Sequence, residues 1–328
     1  TGPATLRFCA SSSIVAAVVV AGMFVGNATI AIYNGLSIPV SVLVNERQII
    51  VQPHGHRSLS VGATITGTIE SSTEDGRLIE SFEATLDTGF ATYVYNVASA
   101  APMIEWTAVY GNAHQPDPET LGFPRWRTTG ADHVFEEPPA QIETSGSGGS
   151  RSVLSSYSDL APQQILSFVA DPSEINSVIL AHAEWDAANS KFAGHWLAMG
   201  TKVPNFTDVV TRRLAANPDE VLSLRLQQDT AEPTEKDSVL ERHRQLAAQH
   251  PESSDWQYIG VRAMPDGPEQ DQAFVNGLVK WPDNDWFANA AGNIQARRGL
   301  WQESLAAYDV VLKNQCQIGL LITCRHIY

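Results

Sequence analysis

The chain has 328 residues, 43% of them hydrophobic and 17% charged, which supplies apolar material for more than one buried core and excludes a disordered protein. Its 36 acidic against 21 basic residues give a formal charge of -15, which repels a phosphate backbone unless basic residues cluster. They do not cluster, so no nucleic-acid partner is expected, and three cysteines (Cys9, Cys316, Cys324) are too few for a disulfide scaffold and lack the spacing of a zinc site.

In chain order, the first feature is Arg7, followed by serines and an uncharged apolar run from Ile14 to Val25. Taken alone, the run matches the core of a signal peptide, with small residues around Gly26 to Ala28 for cleavage. Counted over residues 8–25, it is long enough to span a bilayer as a short helix. Residues 1–28 are therefore expected to be a signal peptide or a transmembrane anchor. Either way Arg7 stays on the cytoplasmic side, and the bulk of the chain is expected outside, in a periplasm or at a cell surface.

From residue 29 to 110 the apolar pattern has the period of strands. Runs such as TIAIY, VSVLV, QIIVQ and ATYVYNV are rich in β-branched and aromatic residues, and Asn34-Gly35 and Asp75-Gly76 punctuate them as turns. No helical period intervenes, which predicts an antiparallel β-sandwich. The composition and turn placement resemble small sandwich modules of exported bacterial proteins. Residues 111–151 are rich in proline, glycine and serine and read as a connector ending in a flexible tether.

Residues 152–328 read as helical. Segments including FTDVVTRRLAA, EKDSVLERHRQLAAQ and EQDQAFVNGLVKW place apolar residues at i, i+3, i+4 and i+7, separated by prolines. Leu214, Leu246, Leu278 and Leu312 recur at a spacing of 32, 32 and 34, and Pro218, Pro251 and Pro282 follow the first three. Such a period signals stacked helical hairpins, each too small to bury its apolar face alone. The stretch GNIQARRGLWQESLAAYDVVL, from Gly292 to Leu312, resembles the tetratricopeptide repeat, a helix-turn-helix unit. That resemblance puts Gly292 at a close approach of two helices and Gly299 at the turn. It puts Trp301, Ser304, Tyr308 and Leu312 at the aromatic, small, aromatic and aliphatic positions of the second helix.

No nucleophile elbow, zinc-protease helix or phosphate-binding glycine loop is present, and no catalytic residue, cofactor or metal is expected. His54 with His56 reads as a solvated turn, and His133 near Glu136 and Glu137 and His182 near Glu184 and Asp186 read as scattered surface polar residues, rather than as metal sites. The expected function is a protein or peptide interaction scaffold on the repeat surface, with membrane contact through residues 8–25. Two alternatives stand beside it. One is the extracytoplasmic part of a membrane enzyme whose catalytic region precedes Thr1. The other is a carbohydrate-binding sandwich, which needs an exposed aromatic platform among Tyr93, Tyr95, Trp106 and Tyr110.

Overall fold

The computed structural model describes residues 28–61, 66–86, 92–111, 114–142, 149–169 and 171–313. The apolar run of residues 8–25 and all three cysteines lie outside these. Among the described residues, no helix is long and apolar enough to cross a membrane. The chain is mixed α and β, with three four-stranded sheets followed by ten α-helices among the described residues. It divides into two compact units at Ala181/His182.

In the first unit, β1 (Ala28–Asn34), β4 (Gly55–Val61), β7 (Thr92–Asn96) and β10 (Trp126–Thr129) form one sheet in the order β10-β7-β1-β4. A second sheet has the order β3-β2-β5-β6, from β2 (Val40–Val44), β3 (Arg47–Val51), β5 (Thr66–Thr73) and β6 (Leu78–Thr85). The third has the order β11-β12-β8-β9, from β8 (Met103–Tyr110), β9 (Glu119–Thr120), β11 (His133–Val134) and β12 (Gly149–Ser156). The alternation read from sequence is plain in β2, where every second residue is buried. β4 went unread because its apolar content is confined to Leu59 and Val61.

Three expectations are corrected here. The pairing is not purely antiparallel, since β1 runs parallel to β7 and β11 parallel to β12. Residues 111–151 are not merely a connector: they supply β9, β10, β11 and the start of β12. Nor does the helical part begin at residue 152, because β12 pairs with β8 along its whole length, from Gly149 opposite Tyr110 to Ser156 opposite Met103. Serine-rich sequence forms a strand there because Val153 and Leu154 alone reach the core, where Leu154 packs with Tyr33, Val94, Ala101 and Met103. The first helix, α1 (Pro162–Leu166), follows it.

Two buried asparagines shape the chain between these strands. Asn34 Nδ2 donates to the carbonyls of Ile38, Val51 and Gln52, and its Oδ1 accepts from the Leu36 amide, so the turn at Gly35 is held from inside. Gly35 itself admits no side chain, because a Cβ there would lie 2.8 Å from that of Ala101. Asn96 closes the segment after β7 through both the amide and the carbonyl of Ala101. Between the first and second sheets, the fully buried Tyr95 hydroxyl donates to Glu80 and accepts from Ser71, each at 2.8 Å. The neutral phenol is kept by that burial, which drives its pKa well above the ordinary value.

The division between the units falls inside α2 (Glu174–Trp185). Beyond it come α3 (Ala193–Gly200), α4 (Phe206–Ala216), α5 (Val221–Thr230), α6 (Lys236–Gln249), α7 (Ser254–Arg262), α8 (Pro268–Lys280), α9 (Asp285–Arg297) and α10 (Trp301–Lys313). From α4 to α10 they pair in succession, and contacts also join α5 with α7 and α7 with α9. Pro218, Pro251 and Pro282 each stand three residues before the start of α5, α7 and α9, where a proline ends the preceding helix and admits the next. Ser253 and Asn284 then cap α7 and α9 by accepting from the amides of Trp256 and Phe287.

Aromatic packing forms the core. Phe287, fully buried, stacks on Trp281 at 5.4 Å and meets Tyr258 edge-on at 5.6 Å. A Cβ at Gly277 would lie 2.1 Å from the Phe287 ring, so this glycine sets how closely α8 approaches α9.

A second anchor is polar. Arg213 on α4 is 6% exposed, and it donates to both carboxylate oxygens of the equally buried Glu220 and to the carbonyls of Ala183, Glu184 and Asp186 at the end of α2. Removing one partner of a buried pair strands the other charge. Arg213→Met is therefore expected to cost about 3–5 kcal/mol. The double variant with Glu220→Leu should recover only part of this, because the three α2 carbonyls stay unmet. Urea unfolding of the three proteins checks both outcomes, and a fully restored midpoint in the double variant would contradict the carbonyl role.

Candidate functional site

The residues named from the repeat pattern fall on two kinds of position. Leu214, Leu246 and Leu278 sit in the last turns of α4, α6 and α8 and pack against the aromatic core. At the end of the chain, Ser304 is buried and its Oγ donates to the Gly292 carbonyl at 2.9 Å, while a Cβ on Gly292 would lie 3.0 Å from the Tyr308 ring. Gly299 has φ of 75° in the turn between α9 and α10, the left-handed region that favours glycine after a helix.

Trp301 and Leu312 depart from expectation. They are 66% and 63% exposed on α10, in one stripe with Leu305 at 65%, because no described helix packs against that side of α10. Trp301 therefore contributes little to the core. Gly277, whose approach is closer than that of Gly292, had no distinguishing pattern in the sequence.

Two histidines expected in solvated, surface positions have specific partners, and His182 is buried. His54 Nδ1 lies 3.1 Å from Ser158 Oγ, which also contacts the Tyr33 hydroxyl. His182, buried, pairs with Asp186 at 3.0 Å and stacks on Trp196 with ring centroids 4.3 Å apart. Among the described residues, no group of three His, Cys, Asp or Glu side chains is placed to hold a metal ion. Of the aromatic platform, Tyr93 and Tyr95 are buried, so that set cannot present one surface to a sugar. Trp106 and Tyr110 are half-buried and bond Ser155 Oγ and the Pro139 carbonyl.

A concavity lies in the second unit, a groove of about 820 Å³. It is walled by α5, α7 and α9 with the turn before α8. Arg225, Gln228 and Asp229 come from α5, Tyr258 and Arg262 from α7, Asn289, Asn293 and Arg297 from α9, and Asp271 and Phe274 from α8. Most of its charges are matched inside the chain. Arg262 pairs with Asp229 at 2.8 Å and donates to Gln228, and Arg297 pairs with Asp271 at 3.1 Å.

Arg225 is different. Its guanidinium lies 4.6 Å from the centroid of Trp286 and 6.0 Å from that of Tyr258, and its Nε is buried without a hydrogen-bond partner. Burial lowers its pKa from the usual arginine value. The groove itself was not expected from the sequence, since its residues come from helix faces whose convergence no linear spacing reports.

Behind the groove, Gln228 connects it to a buried histidine. With Oε1 accepting from Arg262, Gln228 Nε2 donates to the Ile259 carbonyl and to Nδ1 of His243, whose Nε2 meets Oε1 of Gln227 at 3.1 Å. Both ring nitrogens are thus satisfied only in the neutral form. Burial first, and Arg242 second, lower the His243 pKa from 6.5 to about 4.

Comparison with models of known protein families, with curated proteins and with solved structures found no match.

The histidine sets a pH dependence. An unfolded chain takes up the His243 proton below pH 6.5, whereas the folded one resists until about pH 4, so stability is complete above 6.5 and falls between the two. The loss from this group is expected to be on the order of 2 kcal/mol. Urea melts at pH 7 and pH 4 should show a smaller drop for His243→Gln than for the unmutated chain; equal drops would mean that the imidazole does not carry it.

Proposed function

We propose that this chain is an exported or membrane-anchored interaction scaffold, in which a tetratricopeptide-like second unit receives a protein or peptide partner and a β-sandwich module precedes it. The observation that carries the reading is the groove walled by alternate helices. Helices α5, α7 and α9 begin at Val221, Ser254 and Asp285, 33 and 31 residues apart, and each contributes side chains to one surface. Helices α6, α8 and α10 each follow one of them in sequence, with a like spacing. A row of equivalent helix faces suits an extended segment, which meets one face after another.

The character of the groove supports this. Tyr258 and Phe274, both buried, form its apolar floor, while Asn289, Asn293 and Gln270 line it with polar groups. Mixed lining of this kind fixes the register of a bound segment through a few polar contacts.

Two outcomes test the reading. Peptides selected by display against the full chain should bind in the groove, and Ala290→Trp, which places an indole on its wall, should weaken them by about tenfold or more, or 1.4 kcal/mol, while preserving the melting temperature. Selected peptides indifferent to that change would move the binding surface elsewhere. For location, export rests on Arg7 and the apolar run of residues 8–25. An alkaline phosphatase fused after Ser150 should be active in bacterial cells and inactive when residues 8–25 are deleted; activity of a cytoplasm-only reporter at the same point would overturn the orientation.

A further inference from the structure

We propose that Arg225 is the carboxylate-recognising residue of the groove and that the bound segment carries an acidic side chain at this point. The proposal rests on the groove being the partner surface, and it adds the chemistry of what the partner presents.

The argument is one of comparison among arginines of the same unit. Arg213 holds Glu220, Arg262 holds Asp229 and Arg297 holds Asp271. Arg225, by contrast, has a buried Nε with no acceptor, and among the described residues no hydrogen bond or ion pair reaches its guanidinium. The nearest acid on its own helix, Asp229, is already held by Arg262 at 2.8 Å.

A guanidinium left in this state has donors to offer in its plane only, because Trp286 at 4.6 Å occupies one of its faces. A planar carboxylate arriving edge-on takes two parallel N–H bonds, the geometry for which the fork is built. Local charge agrees. The groove is lined by Arg225, Lys236, Arg262 and Arg297 against Asp229, Asp266 and Asp271, a basic excess in a chain of net charge -15. The general field repels free anions, so an acidic group reaches Arg225 best as part of a segment that also lies along the groove.

The experiment titrates the full chain with acetylated and amidated tetraglutamate and tetraglutamine, by calorimetry and by NMR of isotope-labelled arginine side chains. Tetraglutamate is expected to bind about tenfold tighter, a charge-assisted pair's worth, and to shift the Arg225 Nε–H resonance. Arg225→Gln should abolish the preference, Arg225→Lys should keep part of it, and Arg57→Gln, on β4 of the first unit and outside the groove, should leave it in place. The NMR shift is read on the unmutated protein, so a variant that fails to fold does not remove the test. A tetraglutamate with a free C-terminus that binds tighter still supports carboxylate recognition and assigns it to a chain end; equal affinity supports the side-chain source. Peptides that bind in a manner sensitive to Ala290→Trp, yet with no glutamate preference or no Arg225 shift, overturn this proposal and leave the groove reading standing. Binding of both peptides that ignores Ala290→Trp, or no binding of either, overturns both.

Discussion

A buried guanidinium is the constraint from which the helical unit is built. Arg213 cannot enter a core on its own, because removing its charge from water costs several kcal/mol that only a dense set of acceptors offsets. The chain supplies Glu220 and three carbonyls of α2, drawn from two segments on either side of Arg213 in sequence. Meeting that demand brings the end of α2, α4 and the start of α5 to one point. The aromatic core around Phe287 continues from there, with Trp256 reaching back through its indole N–H to Asp219 at 3.0 Å, one residue before Glu220.

The same chemistry explains why the groove is a place for binding. Arg225 lies only twelve residues beyond Arg213 in sequence, yet it finds rings in place of acceptors. Cation–π contact compensates for part of the lost hydration but satisfies no N–H donor. Arg262 and Gln228 beside it are fully engaged, and through Gln228 they are tied to a neutral imidazole buried at His243. Polar networks in low dielectric hold one geometry when every member is satisfied. The wall of the groove is therefore held in place, and among the described residues Arg225 Nε is a buried donor left without a partner in it.

In the first unit the equivalent role falls to neutral groups. Asn34, Asn96 and Tyr95 are wholly buried and each makes two or more hydrogen bonds, most of them to the backbone of turns. An amide crosses a core at much lower desolvation cost than a charge. Such residues look like turn formers in sequence, and Asn34-Gly35 does lie at a turn, but it is the inward side chain that specifies it.

The sequence by itself determined the elements whose signal is local. Alternation marked β2 residue for residue, a period of 3.6 marked α4 residue for residue, and the prolines at Pro218, Pro251 and Pro282 marked where α5, α7 and α9 begin. It missed α5 and α7 as individual helices, because helices packed on several sides lose the polar face that makes a period visible. Only the tertiary structure decided the rest. Parallel pairing of β1 with β7, the recruitment of Gly149–Ser156 into the third sheet and the exposure of Trp301 depend on which neighbour each surface meets. So does the difference between Arg213 and Arg225: two arginines on neighbouring helices, told apart by whether a carboxylate from elsewhere in the chain arrives beside them, a fact of three-dimensional proximity that no local pattern encodes.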